Sequence, residues 1–310
     1  MEKILVAGLD TVVGGNCAAW WADRYEVVGI CWNHAVTISG CRGLSTSGDA
    51  AADAARLIAT EKPRRILFAG PSSQSCWTAA EGLNADAARI AAAWAKAAAD
   101  TQTDFTLVSS DAVFTGPWMF HRETGTCYCD TPAARMLRTI ERDVADQCPR
   151  ALIVRTNAFG WSPTEAKPGL VEQIYEALST GQTLSLDYLR HATPILATDL
   201  ADLLDAASSK GLNGIYHISG AERANPFRFA CLMADEFNLP TSSVEPRETS
   251  LDQRKTFGGS ETSLQTRRFK KALEVGVPLL REGLARLFEQ NESGYRDRFS
   301  SPEGVLLRAA

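Results

Sequence analysis

The residues of this 310-residue chain best suited to chemistry sit at the end of one apolar run. Phe105-Thr106-Leu107-Val108 reads as a buried strand and closes into Ser109-Ser110-Asp111-Ala112-Val113-Phe114-Thr115-Gly116. A hydroxyl and a carboxylate at a strand's carboxyl end can hold a substrate oxygen or orient a proton donor. Ser110 and Asp111 are therefore the first catalytic candidates. Tyr128 is the only tyrosine between Lys96 and Lys167, an interval with no lysine, and it is the candidate acid. Arg135 and Arg138 are the cations nearest to it in sequence, but an arginine stays charged and cannot relay protons as a lysine can. A relay of Ser110, His121 and Asp111 can be drawn, yet nothing in the spacing brings the three together. His191, next to Arg190, could meet a phosphate. His217, inside an apolar strand, reads as structural.

These side chains need a scaffold, and the first half of the chain supplies one. Strands are expected at Lys3–Gly8, Glu26–Cys31, Arg65–Gly70, Phe105–Ser110 and Ala151–Arg155. Helical spacing of apolar residues marks Cys17–Asp23, Ala50–Thr60, Asn84–Ala99 and Ala134–Asp146. Such alternation predicts an α/β protein, a doubly wound parallel sheet with helices on both faces and one ligand crevice at the strands' carboxyl ends. After Arg155 the alternation weakens. Asn157–Thr164 and Asp187–Ala197 read as irregular, with helices at Gly169–Ser179, Pro226–Phe237 and Leu279–Gln290, a strand at Gly214–Ile218 and a polar loop over Thr241–Gly259. The expected division is a nucleotide-binding domain over 1–157, with 194–219 returning to it. A smaller substrate lobe over 158–193 and 220–290 follows, then a tail over 291–310.

The net charge of −5 argues against nucleic acid or an anionic membrane as partner. No apolar run approaches the roughly 20 residues that span a bilayer. The start of the chain leads directly into a strand without a signal-peptide layout, and a cytoplasmic protein with reduced thiols is expected. Of the eight cysteines only Cys127 and Cys129 are close, too little for a zinc site. No metal is expected.

Gly8-Leu9-Asp10-Thr11-Val12-Val13-Gly14-Gly15 follows the first strand and opens a helix. Glycines there let a backbone approach a pyrophosphate at the helix amino terminus. Thr11 stands where a middle glycine would be, and Asp10 is expected beside the phosphate path, where it would repel. The second strand ends Ile30-Cys31-Trp32-Asn33-His34, with neither the carboxylate that would bond an NAD ribose nor the arginine that would favour NADP. Trp32 and His34 are candidates to lie near an adenine.

In their order these segments resemble the extended short-chain dehydrogenases/reductases, in the dTDP-4-dehydrorhamnose reductase branch. Ser109–Gly116 resembles that branch's Ser-Thr-Asp-Tyr-Val-Phe-Asp-Gly. Glu81 and Asn84, Arg155-Thr156-Asn157, Thr193–Ala201, Gly214–Gly220 and Arg281–Leu284 match further elements, so the likeness covers about residues 3 to 288. The resemblance implies a Rossmann-type fold that holds NADP or NAD through Gly8, Thr11, Val12, Gly14, Asn33, Ala69, Gly70 and Asn84. It implies a nucleotide-sugar-like ligand against Val113, Phe114, Asn157, Arg190 and Thr193, and a homodimer is a further expectation. The branch's tyrosine and lysine, however, fall on Ala133 and Leu137 when Glu141 anchors the register. Loss of a general acid removes about 10²–10⁴ in rate. Three readings follow: a reductase or epimerase with an unconventional acid, a non-catalytic regulatory subunit that binds a dinucleotide or sugar nucleotide, or an enzyme of other chemistry on the same fold.

Overall fold

The computed structural model describes residues 1–78, 80–248 and 257–300. The first part of the chain is β1 (Lys3–Ala7), α1 (Val12–Trp21), β2 (Glu26–Ile30), β3 (Thr37–Ile38), β4 (Cys41–Gly43), α2 (Ala50–Glu61), β5 (Arg65–Phe68), α3 (Ala85–Asp100), β6 (Asp104–Ser110), α4 (Pro132–Gln147) and β7 (Leu152–Thr156). There follow β8 (Ala158–Phe159), α5 (Leu170–Thr180), β9 (Leu184–Asp187), β10 (Ile195–Leu196), α6 (Ala197–Ser209), β11 (Gly214–His217), α7 (Pro226–Glu236), β12 (Val244–Arg247), α8 (Arg267–Leu273), α9 (Leu280–Glu292) and β13 (Phe299–Ser300).

Seven strands form one parallel sheet in the order β11-β7-β6-β5-β1-β2-β4. The strand order reverses between β1 and β5, so the carboxyl ends of β1, β2, β5 and β6 flank the crevice where ligands bind in such sheets. One face packs on α2, α3 and part of α4; its core holds Leu57, Ile58, Trp94 and Phe105. The alanines of α3 (Ala87, Ala88, Ala91, Ala95, Ala98) are the small side chains that let this helix approach the sheet and α2 closely. The other face packs on α1 and α6 in a core that continues into the carboxyl-terminal elements.

The doubly wound sheet agrees with the sequence expectation, and all six expected strands lie within two residues of their observed ends. The first helix begins five residues early, at Val12, because Thr11 caps it. The two stretches expected to be irregular, Asn157–Thr164 and Asp187–Ala197, supply the short parallel pair β8–β10, and the helix expected between them is α5. At Ala197 the second stretch turns into α6, whose helically spaced Leu200, Ala201, Leu204 and Ala207 are all buried. β9 pairs with β12. The polar loop expected over Thr241–Gly259 lies partly outside the described residues. Within the segment expected as a tail, Tyr295 is buried with its hydroxyl on the Asn16 carbonyl, and β13 pairs with β3; residues 301–310 lie outside the described residues. Among the described residues no helix is long and apolar enough to cross a membrane.

Candidate functional site

The glycine turn after β1 is built as a close approach. Gly8 has φ +120°, and a Cβ there would lie 2.1 Å from the Ala69 carbonyl oxygen, so only glycine fits. Thr11 serves as the helix cap: its hydroxyl donates to the Gly8 carbonyl (2.8 Å) and accepts from the Gly14 N–H (3.0 Å). A Cβ at Gly14 would lie 2.0 Å from the Gly8 carbonyl oxygen. Val12 is the first residue of α1. A helix amino terminus above a glycine turn is suited to an anion.

Asp10 does not point along the phosphate path as expected. Its carboxylate accepts three backbone N–H groups from the loop after β2: Trp32 (2.8 Å), Asn33 (2.7 Å) and His34 (3.1 Å). Three donors converging on one carboxylate outcompete solvent for it and fix the loop. Asn33 is exposed. The Trp32 indole crosses the ends of β1 and β5, donating to the Ala69 carbonyl at 3.4 Å and packing against Phe68 and Trp94. Gly70 caps the turn over Pro71–Ser73, and Asn84 caps α3 through Ala87.

At the other end of the crevice Ser110 and Asp111 are fully buried. The Ser110 hydroxyl donates to Asp111 (3.2 Å) and accepts from the Ala112 N–H (3.1 Å), capping a single turn. Asp111 is enclosed by the Cys76 N–H (3.3 Å), the Asn157 amide (3.0 Å) and the Thr262 hydroxyl (2.8 Å). Burial raises its pKa, and these bonds work in the opposite direction. The Cys76 thiol lies in the same knot, 3.1 Å from the Asn157 amide, and burial beside Asp111 pushes its pKa well up, which disfavours the thiolate.

Tyr128 reaches this region because residues 127–129 run antiparallel to 113–115. Its ring stacks on Phe114 at 5.7 Å, and His121 stacks on the same phenylalanine at 4.5 Å. Arg138 lies over the face of the Tyr128 ring (4.9 Å) and donates to the Cys129 carbonyl, while Arg135 pairs with Asp130. Behind Phe114, Arg155 forms a bidentate bond with Glu141 (2.9 and 2.7 Å), and the Ser109 hydroxyl donates to the same carboxylate at 2.6 Å. Burial works against the charge of Arg155, but Glu141 and Tyr128 outweigh it and raise its pKa. Ala133 lies in the first turn of α4, and Leu137, one turn further on, is fully buried in the core.

His121 directs Nε2 to the Glu261 carbonyl, so the drawn relay with Ser110 and Asp111 is not assembled. Val113, Phe114, Asn157 and Thr193 are all fully buried. Thr193 donates to Ser219 and accepts from the Leu264 N–H; Arg190 lies 3.6 Å from Asp187. The segment Gly258–Leu264 is the filling that sequence reasoning missed. Gly258 has φ +63° and rests on the Cys76 carbonyl, and Thr262 reaches Asp111. Trp77 completes the closure by packing on Phe229 of α7 at 5.6 Å. Among the described residues no group of His, Cys, Asp or Glu is placed to hold a metal.

The geometry is that of a dinucleotide-type crevice without a tyrosine–lysine pair. The sequence profile of the RmlD substrate binding domain matches residues 3–293. The chain belongs to that family, the dTDP-4-dehydrorhamnose reductase branch of the extended short-chain dehydrogenases/reductases. It is similar in sequence to methionine adenosyltransferase 2 subunit beta of Xenopus laevis, 28% identical over 158 residues, 49% of this chain and 47% of that protein. The Danio rerio subunit is 26% identical over 112 residues, 34% of this chain and 35% of that protein. The chain thus spans about a third to a half of the length of these curated relatives. Its fold is similar to dTDP-4-dehydrorhamnose reductase from Bacillus anthracis in complex with NADP, with a TM-score of 0.74 and 16% identity over 94% of this chain and 99% of that one. The Bordetella bronchiseptica enzyme WbmG in complex with NAD and UDP gives a TM-score of 0.74 and 15% identity over 96% and 99%.

Proposed function

We propose that this chain is a non-catalytic member of its family that acts as a regulatory subunit of a partner enzyme. On this reading the crevice is kept as a frame for NADP or NAD and no longer serves reduction. The observation that carries it is at α4: the positions that by resemblance belong to the proton donor and its cation are Ala133 and the fully buried Leu137, and Ser110 and Asp111 are themselves fully buried. An alanine and a leucine at these two positions can supply neither the proton for a carbonyl oxygen nor the cation beside it. Similarity to subunits named for methionine adenosyltransferase 2 supports the regulatory half and suggests the catalytic subunit of such an enzyme as partner. A loop with Trp118 71%, Met119 60% and Phe120 40% exposed supports it further, because such side chains are enriched in protein interfaces. Asn33 offers no charge to choose between NAD and NADP. A nucleotide-sugar-like ligand in the carboxyl-terminal lobe and a cytoplasmic setting belong to the same proposal.

The test has two parts. Incubation with NADPH or NADH and dTDP-4-dehydrorhamnose is expected to give no oxidation above the enzyme-free rate; turnover would overturn the non-catalytic reading. Sedimentation with the methionine adenosyltransferase catalytic chain of the same organism is expected to give a joint complex. Two independently sedimenting species would overturn that choice of partner.

A further inference from the structure

A dinucleotide on a sheet of this kind lays its pyrophosphate over the first glycine turn and carries its adenosine across the end of the second strand. In this chain that path runs from Gly8 towards the loop after β2, and a side chain of the protein lies across it. The Trp32 indole nitrogen sits 2.6 Å from where a Cβ on Gly8 would be, and it reaches the Ala69 carbonyl on β5's side. Its ring lies 5.3 Å from Phe68 and 6.3 Å from Trp94, an aromatic bed of the type an adenine ring would use. A second observation is independent of the indole. Asp10, inside the glycine turn, spends both carboxylate oxygens on the N–H groups of residues 32–34 and so ties the loop that carries Trp32 to the turn itself.

We propose that Trp32 is a built-in plug for the adenosine end of the crevice, and that an adenine dinucleotide binds only when the loop after β2 carries the indole away. This deepens the dinucleotide part of the reading above and is independent of whether the chain regulates a partner. The indole is only partly buried and its one hydrogen bond is long, and its withdrawal uncovers Phe68 and Trp94, the surface an adenine would then cover. Affinity for the ligand is then reduced by the fraction of time the plug is in place.

The experiment titrates NADPH, ADP and nicotinamide mononucleotide by calorimetry into the wild-type chain and into Trp32→Ala, Trp32→Phe and Asp10→Asn. Circular dichroism and a melting curve check folding of each. Trp32→Ala is expected to bind NADPH and ADP about tenfold or more tighter than wild type. Asp10→Asn, which leaves the aromatic bed intact, is expected to give a smaller gain in the same direction. Nicotinamide mononucleotide, which lacks the adenosine, is expected to change little. Equal NADPH affinity in all variants would overturn the plug while leaving dinucleotide binding in place. Failure of every variant to bind NADPH or ADP would overturn the plug and the dinucleotide reading together. A gain for nicotinamide mononucleotide as large as that for ADP would mean general loosening and would also overturn it.

Discussion

The Glu141–Arg155 pair offers the sharpest test of how the crevice is held shut. Both side chains are almost wholly buried, at 4% and 3% exposure, so solvent cannot replace either partner. Glu141 accepts three short bonds, two from Arg155 and one from Ser109. Glu141→Gln keeps the shape but removes the counter-charge and turns an N–H donor towards a guanidinium that also only donates. Breaking a buried pair from one side costs about 3–5 kcal/mol. On a scale of about 2 °C per kcal/mol for a chain of this size, the melting temperature is expected to fall about 6–10 °C. Urea unfolding of wild type, Glu141→Gln, Arg155→Met and the double variant Glu141→Leu/Arg155→Met checks this. The double variant is expected to recover most of the loss, since apolar residues of similar volume leave no uncompensated charge. A loss below about 1 kcal/mol for Glu141→Gln, or a double variant that loses the sum of both singles, would refute the reasoning.

Two further predictions concern the same enclosure. His217 is held neutral, its pKa pushed well below 6.5 by burial and by Arg155. Below pH 6.5 the unfolded chain binds a proton that the native chain does not, so stability falls as pH drops through that window, by up to about 1.4 kcal/mol per pH unit. Above pH 6.5 the residue contributes nothing to the slope. Denaturation series at several pH values are expected to show a shallower acid loss for His217→Gln, and identical slopes would rule this assignment out. Gly258→Ala would put a Cβ 2.0 Å from the Cys76 carbonyl oxygen at a positive φ. It is expected to lose more than about 1 kcal/mol; an unchanged urea midpoint would show that this segment does not rest on Cys76 as described.

Much of the fold was legible because it is written in period and punctuation. The apolar runs that became β1, β2, β5, β6 and β7 are short and almost continuous, as strands buried on both faces must be. α6 escaped because the stretch expected to be irregular runs up to its first residue, Ala197, and Thr193–Ala201 reads only as a family match, although Leu200, Leu204 and Ala207 carry the helical spacing. β3 and β4, two and three residues long, are too short for any period to register. At the site, the loss of the tyrosine and lysine could be read from residue types alone. What fills the space could not. Thr262 lies 151 residues from Asp111 and Cys76 lies 35 away, and nothing local in either segment signals the contact. Asp10 was misplaced for the same reason: its acidity suggests repulsion of phosphate, but the three N–H groups that capture it come from 22–24 residues away.

The two ends of the crevice are closed by different physics, and this orders what can enter. At the catalytic end a ligand would have to displace hydrogen bonds to a fully buried carboxylate from Cys76, Asn157 and Thr262. Each group left unpaired there costs about 1–3 kcal/mol. At the adenosine end it would have to move one partly exposed indole with a single bond of 3.4 Å off Phe68 and Trp94, on a loop tied to Asp10. The two closures differ in kind, a hydrogen-bonded buried carboxylate at one end and a partly exposed ring at the other. On the proposed reading a molecule with an adenosine diphosphate group would enter at Trp32, while the Asp111 knot stays closed. On the proposed reading that difference separates the two functions which reductases of this fold join, leaving a frame for a dinucleotide beside a closed Asp111 knot.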